Sequence, residues 1–183
     1  MNRTINKVVL SMVKIASLAS AICSVVSARD FTKKHVLWND VEVMCKAVHE
    51  EAVKDTFNPD LIIGLSRGGL IPLGLLAGEK MFDQRNTLSI AVSSYDRTKQ
   101  GNITLLLPVH TENLRDYKSV LVVDDLIDSG KTMAFVVALL KKDLPEATIK
   151  TAVLFYKPAN TTMTPDYYAS ETADWIVFPW ETE

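Results

Sequence analysis

The chain has 183 residues, 48% of them hydrophobic, which is enough for one domain with a sizeable core. Its formal net charge is −2, and its basic residues form no stripe interleaved with aromatic ones, which argues against nucleic-acid binding. Cys23 and Cys45 form no CxxC pair and have no histidine cluster beside them, which argues against a cysteine-based metal site and a disulfide framework.

The first 30 residues differ in character from the rest of the chain. Residues 8–26 are largely apolar, with Lys14 as an interruption, and they follow a short basic segment. Val-Ser-Ala at residues 26–28 fits the small-residue rule for signal cleavage, so a secretory signal is one interpretation. An amphipathic appendage helix and an over-extended reading frame are two others. We treat residues 1–30 as an N-terminal extension outside a domain that spans residues 31–183.

From Leu37 the pattern becomes that of an amphipathic helix. Apolar residues follow the i, i+3, i+4, i+7 spacing of one buried face, at positions 41, 44, 45, 48 and 52. Asn39 or Asp40 is the predicted cap. An Asn-Pro-Asp turn at residues 58–60 ends this unit, and residues 61–65 are typical of a first core strand.

A turn of sequence Ser66-Arg67-Gly68-Gly69 joins this strand to an apolar helix predicted over residues 70–81. Free backbone N–H groups at the start of a helix bind phosphate, and the two glycines let the backbone approach a ligand closely. The forked guanidinium of Arg67 suits pyrophosphate. Alone, this short motif favours a tight structural turn. Beside a second anion site, it favours a pyrophosphate site.

Residues 87–93 alternate with β-propensity and predict a second strand. A polar segment follows, with Arg97, Lys99 and Gly101, before an extended pattern resumes over residues 103–109. Composition alone fits two alternatives equally well, an ordinary solvated hairpin and a mobile hood that closes over a ligand site and excludes water from it.

The most informative stretch is residues 119–132. An aliphatic run over residues 119–123 predicts a strand buried on both faces of a parallel sheet, and Asp124 and Asp125 end it. Residues 128–132, Asp-Ser-Gly-Lys-Thr, form a turn into a helix predicted over residues 133–142. Ligands of open α/β sheets bind beyond the carboxyl ends of strands. The loop therefore combines an anion cradle with carboxylates suited to ribose hydroxyls or hydrated Mg²⁺; an acidic surface turn is the alternative.

Two common motifs do not fit this stretch. A Walker phosphate loop requires glycine five positions before the glycine of Gly-Lys-Ser/Thr, where Asp125 stands. A calcium-binding hand requires an oxygen ligand at its third position, where Leu126 stands when counting starts at Asp124.

The last third of the chain predicts one more strand and an aromatic end. Residues 148–156 form an apolar run that ends in Lys157-Pro158, and residues 159–164 are rich in turn formers. Trp175, Phe178 and Trp180 follow. Because nucleobase faces stack on aromatic rings, these residues predict a base pocket; a hydrophobic core edge is the alternative.

Together, five motifs in this order resemble the type I phosphoribosyltransferase family, most closely the bacterial xanthine-guanine and related purine phosphoribosyltransferases. The matching segments are residues 66–70, 93–96, 124–130, 157–158 and 175–180. The resemblance covers roughly residues 37–181. Its departures are the N-terminal extension, Ser129 where the family more often has Thr, and a hood too different from the family's mobile hood to align with it.

The resemblance implies a Rossmann-like α/β fold, in which helices flank a central parallel sheet and a small hood is built partly from the C-terminal strands. It implies transfer of a 5-phosphoribosyl group from phosphoribosyl diphosphate (PRPP) to a 6-oxopurine, with Mg²⁺ as cofactor, in purine salvage. The expected partners are PRPP and the purine base, with no nucleic acid and no membrane apart from the N-terminal segment. A cytoplasmic homo-oligomer, dimer or tetramer, is also expected.

The resemblance also implies a role for each site residue. Catalysis falls to Arg67 and to Asp128, the latter as general base. Asp124 and Asp125 are the expected Mg²⁺ ligands, and Lys157, Trp175 and Ile176 the expected base-binding residues. PRPP-binding is assigned to Ser66, Arg67, Gly68, Gly69, Asp124, Asp125, Asp128, Ser129, Gly130, Lys131 and Thr132.

Two other classes of function stay open at this point. A PRPP- or purine-sensing regulator on the same fold would lack catalysis. An enzyme is favoured by the joint retention of five residues: Arg67, Asp124, Asp125, Asp128 and Lys157. An exported binding protein would use residues 1–28 as a signal or anchor, which intact-mass measurement of the mature chain would test.

Overall fold

The structure is a computed structural model that describes residues 32–93, 103–106, 114–161 and 163–181. Within these ranges the elements are β1 (Lys33–His35), α1 (Trp38–Lys54), β2 (Leu61–Ser66), α2 (Leu70–Leu76), β3 (Thr87–Ser93), β4 (Thr104–Leu105), β5 (Ser119–Ile127), α3 (Lys131–Asp143), β6 (Thr148–Tyr156), β7 (Tyr167–Glu171) and β8 (Trp175–Val177). The N-terminal extension and the hairpin over residues 94–102 lie outside these ranges. The domain boundary placed after residue 30 therefore stays a prediction.

A six-stranded sheet organises the fold, with the strand order β4-β3-β2-β5-β6-β7. The five strands from β3 to β7 along this order pair in parallel, and β4 pairs antiparallel with β3. The predicted parallel α/β sheet is confirmed. The predicted strands over residues 87–93 and 148–156 have the observed bounds.

Helices cover both faces of the sheet because successive residues of the central strands point to opposite sides. On one face, Leu121 and Val123 pack with the buried side of α1, which includes Val48, and with α2. On the other face, Val120 and Val122 pack with the buried side of α3. Burial of each such aliphatic side chain stabilises the fold by roughly 1.5–3 kcal/mol.

Helix α1 follows the predicted periodicity, with Val41, Cys45, Val48 and Ala52 buried. Its start differs from the prediction, since the N-cap is Leu37 rather than Asn39 or Asp40. The carboxylate of Asp40 instead accepts a hydrogen bond from the backbone N–H of Leu37, at 2.9 Å. An acidic group in the first turn thus satisfies one of the free N–H groups of the helix start.

Two element ends also differ from the sequence prediction. Helix α2 ends at Leu76 rather than near residue 81, because the chain leaves the helix through Gly78, whose N–H donates to Leu75 O at 3.1 Å. Strand β5 continues to Ile127 instead of ending before Asp124. Because β5 pairs with β6 as far as Ile127, Asp124 and Asp125 lie inside the strand, near its carboxyl end.

The C-terminal aromatic residues divide between core and surface. Phe178 is buried, stacks on Trp180 with ring centroids 4.6 Å apart, and contacts Phe155 edge-on. Phe178 therefore belongs to the core, and its predicted place in a base pocket is wrong. Trp180 is half-buried against that core, and its predicted contact with a base stays a prediction. Strand β8 pairs with β1 in a separate two-stranded sheet, and the predicted hood stays a prediction. Among the described residues, no helix combines the length and apolar character needed to cross a membrane.

Candidate functional site

Three loops meet at the carboxyl edge of the sheet, after the neighbouring strands β2, β5 and β6. The first is the turn over residues 66–69, the second is the loop over residues 128–130, and the third begins at Lys157. Because adjacent parallel strands end at the same edge, residues far apart in the chain come together here.

The turn after β2 lies directly against the two carboxylates of β5. A Cβ atom on Gly68 would overlap the Asp125 carboxylate, and one on Gly69 would lie 2.5 Å from Val123 O. Neither position has room for a side chain, which explains the glycine pair. The Ser66-Arg67 peptide bond is cis, and Arg67 is exposed beside this contact. The predicted pyrophosphate turn and the predicted acidic pair are thus one continuous surface.

The surroundings of Asp124 and Asp125 disfavour the ionised form of both carboxyl groups. Burial, and then the charge of Asp125, raise the pKa of Asp124 well above its ordinary value, and a nearby Gly69 N–H offsets only part of this rise. Burial is also the main reason that the pKa of Asp125 rises to about 6, and the charge of Glu181 adds to it. The N–H of Asp125 donates to Asp124 Oδ1 at 3.0 Å. A cation beside the pair would favour its ionised form.

The chemistry of these donors fits Mg²⁺. Carboxylate oxygens are hard ligands, and Mg²⁺ is commonly held by one or two carboxylates together with water and substrate phosphates. In the described ranges, no group of three or more His, Cys, Asp or Glu side chains is placed to hold a metal ion by itself. Asp124 and Asp125 would therefore share the ion with substrate oxygens.

The loop after β5 presents an uncapped helix start. Gly130 is the N-cap of α3 and adopts a left-handed conformation with φ of 73°. Among the described residues, no side chain caps this end of the 13-residue helix. Ser129 and Lys131 are exposed on either side of it, and Thr132 is half-buried in the first turn. The first N–H groups of the helix are oriented for an anion such as a phosphate.

A buried ammonium group links this loop to the loop after β6. Lys157 is only 4% exposed, and its Nζ atom lies 3.4 Å from Asp128 Oδ2 and 5.9 Å from the ring centroid of Trp175. Trp175 is 57% exposed and so has a free ring face. The structure thus brings together the three side chains Asp128, Lys157 and Trp175, which the sequence separates widely.

Ile176 occupies a different position from these side chains. Its side chain is buried in the hydrophobic core between the flanking residues of β8, so only its backbone is available to a ligand. The predicted contact through its backbone carbonyl therefore stays a prediction, as do the ligand roles of the other predicted residues.

Sequence reasoning missed two residues that contact the loop over residues 128–130, which we call the phosphate loop. The side-chain amide of Asn160 donates to Asp128 Oδ1 at 2.7 Å, and Thr161 Oγ1 lies where a Cβ atom of Gly130 would be. The available signal was the Lys-Pro-Ala-Asn turn, in which proline at the second position is typical of a tight turn. That signal predicts the turn but not its contact with the loop over residues 128–130.

Comparison with known proteins supports one family. A family model described as "Phosphoribosyl transferase domain" matches residues 27–183. A xanthine-guanine phosphoribosyltransferase of Idiomarina loihiensis is 39% identical over 121 residues, which is 66% of this chain and 70% of the relative. One of the same name from Cereibacter sphaeroides is 31% identical over 153 residues, which is 80% of this chain and 86% of the relative.

A solved structure gives a matching result. The purine phosphoribosyltransferase from Pyrococcus horikoshii superposes with a TM-score of 0.69 at 36% sequence identity, covering 82% of this chain and 95% of that one.

Proposed function

The chain belongs to the phosphoribosyl transferase domain family, and on that premise we propose that it transfers the 5-phosphoribosyl group of PRPP to a 6-oxopurine. The products are a purine nucleotide and pyrophosphate, and the role is purine salvage. The observation that carries this proposal is the position of the buried Lys157 ammonium, 3.4 Å from Asp128 at the mouth of the phosphate loop. That arrangement offers a donor and an acceptor side by side to one edge of a base.

PRPP carries an anion at each end, and two surfaces of the site are suited to bind one anion each. The free N–H groups at the start of α3, with Ser129 and Thr132, would bind the 5′-phosphate. Arg67 and the turn over residues 66–69 would bind the diphosphate, whose negative charge grows as it departs. Bound Mg²⁺, held by Asp124 and Asp125, would neutralise part of that charge.

The reaction exchanges one bond at the anomeric carbon of the ribose. The bond to the diphosphate oxygen breaks, N9 of the purine forms the new bond, and the electron pair leaves with pyrophosphate. The purine gives up its N7 proton as N9 attacks, and the carboxylate of Asp128 accepts it. Half of the Asp128 side chain is exposed to solvent, so this carboxylate is accessible to the base.

Base choice depends on what Lys157 can donate to. An ammonium only donates hydrogen bonds, so it suits a carbonyl oxygen at C6 and not the amino group of adenine. Trp175 would cover one face of the base, and the carbonyl of Ile176 would accept from a 2-amino group. Guanine, xanthine and hypoxanthine are therefore the expected substrates, and adenine is not.

The relatives named above are purine phosphoribosyltransferases, and PRPP is a cytosolic metabolite. We therefore propose the cytoplasm as the location and a homo-oligomer, dimer or tetramer, as the assembly. Size-exclusion chromatography with light scattering would measure the assembly directly.

The chemical step is tested by incubating purified protein with PRPP, Mg²⁺ and guanine, with separation of nucleotide from base. The proposal predicts nucleotide and pyrophosphate in equal amounts, and loss of both when a chelator removes Mg²⁺. Asp128→Asn is the matched control, because it keeps the shape of the site but removes the base. Tight PRPP binding without any nucleotide would favour the regulatory alternative instead.

A further inference from the structure

Backbone hydrogen bonds fix the turn after β6 beside the end of β5. At its start, the N–H of Lys157 donates to Ile127 O at 2.9 Å, and at its end the N–H of Asn160 donates back to Lys157 O at 3.0 Å. Immediately beyond, Thr161 Oγ1 lies against Gly130. The side chains of residues 157 and 160 are thereby presented to the same carboxylate.

The carboxylate of Asp128 is held through both of its oxygens. Oδ2 lies 3.4 Å from the Lys157 ammonium, and Oδ1 accepts a hydrogen bond of 2.7 Å from the Asn160 amide. The shorter contact comes from the neutral partner. Since the Lys157 ammonium is expected to donate to the base as well, the amide is the donor that remains dedicated to the carboxylate.

We propose that Asn160 is a positioning residue, which sets the orientation of the Asp128 carboxylate toward the purine through its side-chain amide. This inference rests on the proposed function, since it assigns Asn160 a task in that reaction. An amide suits the task because it donates without adding charge, whereas a carboxylate at this position would repel Asp128. The contact lies outside the hydrophobic core, because both side chains are exposed.

Three variants separate positioning from structure. Asn160→Ala removes the donor. Asn160→Asp keeps the volume but replaces the donor by an acceptor that repels Asp128. Asn86→Ala is the matched control, because Asn86 is also exposed and its side-chain amide donates a single hydrogen bond, to Asp60 O at 3.2 Å, at the opposite end of the sheet.

The experiment measures nucleotide formation from PRPP, Mg²⁺ and guanine by the four proteins, and by Asp128→Asn with and without Asn160→Ala under single-turnover conditions. Loss of a hydrogen bond to a charged group predicts that Asn160→Ala lowers kcat about tenfold, with KM for PRPP changed by less than about twofold. Asn160→Asp should lower kcat more than Asn160→Ala does. Asn86→Ala should match the wild type.

The decisive readout is non-additivity. If Asn160 acts through Asp128, Asn160→Ala should cost less than about twofold in the Asp128→Asn background. The same loss in both backgrounds, wild-type activity of Asn160→Asp, or a loss seen mainly in KM for PRPP would overturn the inference while leaving the proposed function intact. A wild-type protein that forms no nucleotide would overturn both.

Discussion

The acidic pair predicts an unusual pH dependence of stability. Burial raises the pKa of Asp125 from 3.8 to about 6 in the folded protein. Between these two pH values the folded chain keeps a proton that the unfolded chain has released. The stability that Asp125 contributes is therefore fully present below about pH 4 and is lost as the pH rises through about 6, the reverse of a salt-bridged carboxylate.

The magnitude follows from the two pKa values. A difference of about two pH units, at about 1.4 kcal/mol each, corresponds to a loss of about 3 kcal/mol above pH 6. Asp125→Asn keeps the shape but cannot ionise, so it should remove this loss. It should also lower the pKa of Asp124, because the charge of Asp125 is one of the causes of that raised pKa.

The measurement is thermal unfolding of both proteins from about pH 4 to about pH 8, without divalent cations. The two melting temperatures should agree near pH 4, and Asp125→Asn should melt roughly 6–12 °C higher near pH 8. Asp116→Asn, at the amino end of β5, is the control and should follow the wild type. Nucleotide formation by Asp125→Asn should fall at least tenfold.

A difference in melting temperature between the two proteins that does not change from pH 4 to pH 8 would contradict this prediction. So would a lower melting temperature of Asp125→Asn near pH 8. Added Mg²⁺ provides a second check. It should raise the melting temperature of the wild type more than that of Asp125→Asn, because a ligand stabilises the folded state that binds it.

Three further predictions concern single positions. Asp128→Asn should lower kcat by roughly 10²-fold or more with little change in PRPP binding, and steady-state kinetics showing equal losses in both would contradict the general-base role. Gly130→Ala should lower the free energy of unfolding by about 1–2 kcal/mol, because φ is 73° and Thr161 fills the space of a side chain. In the same thermal unfolding assay Gly74→Ala should be as stable as the wild type or more stable, because a Cβ atom there has no described neighbour within 4 Å. Lys157→Ala should lower kcat/KM for guanine about ten- to a hundredfold, and so reduce the ratio of kcat/KM for guanine to that for adenine. Lys157→Met is the size-matched variant, and unchanged guanine kinetics would contradict this prediction.

Local pattern was sufficient for much of the fold. Strands β3 and β6 have the predicted bounds because their apolar and β-branched runs stop at clear turn signals. The buried face of α1 follows from periodicity alone. These features depend on residues close together in the chain, which is the range over which composition and spacing carry information.

Other features depend on neighbours that are distant in the chain. Strand β5 extends past Asp124 because β6 supplies hydrogen-bonding partners up to Ile127. Phe178 is buried in the core because its ring packs against Phe155, a residue of β6 more than 20 positions earlier in the chain. The contact of Asn160 with Asp128 spans two strands of the sheet, and no local pattern encodes it.

The candidate site shows the same division. The turn over residues 66–69 and the loop over residues 128–132 are recognisable from their own residues. Their proximity to each other, seen in the close approach of Gly68 to Asp125, required the sheet order.

The central claim is that this site transfers phosphoribosyl groups to purines with a carbonyl oxygen at C6. The most direct measurement is kcat/KM of the wild-type protein with guanine and with adenine, at saturating PRPP and Mg²⁺. We expect kcat/KM for guanine to exceed that for adenine at least about tenfold, because adenine places an amino group against the Lys157 ammonium. Equal use of the two bases, or no nucleotide from either, would contradict it.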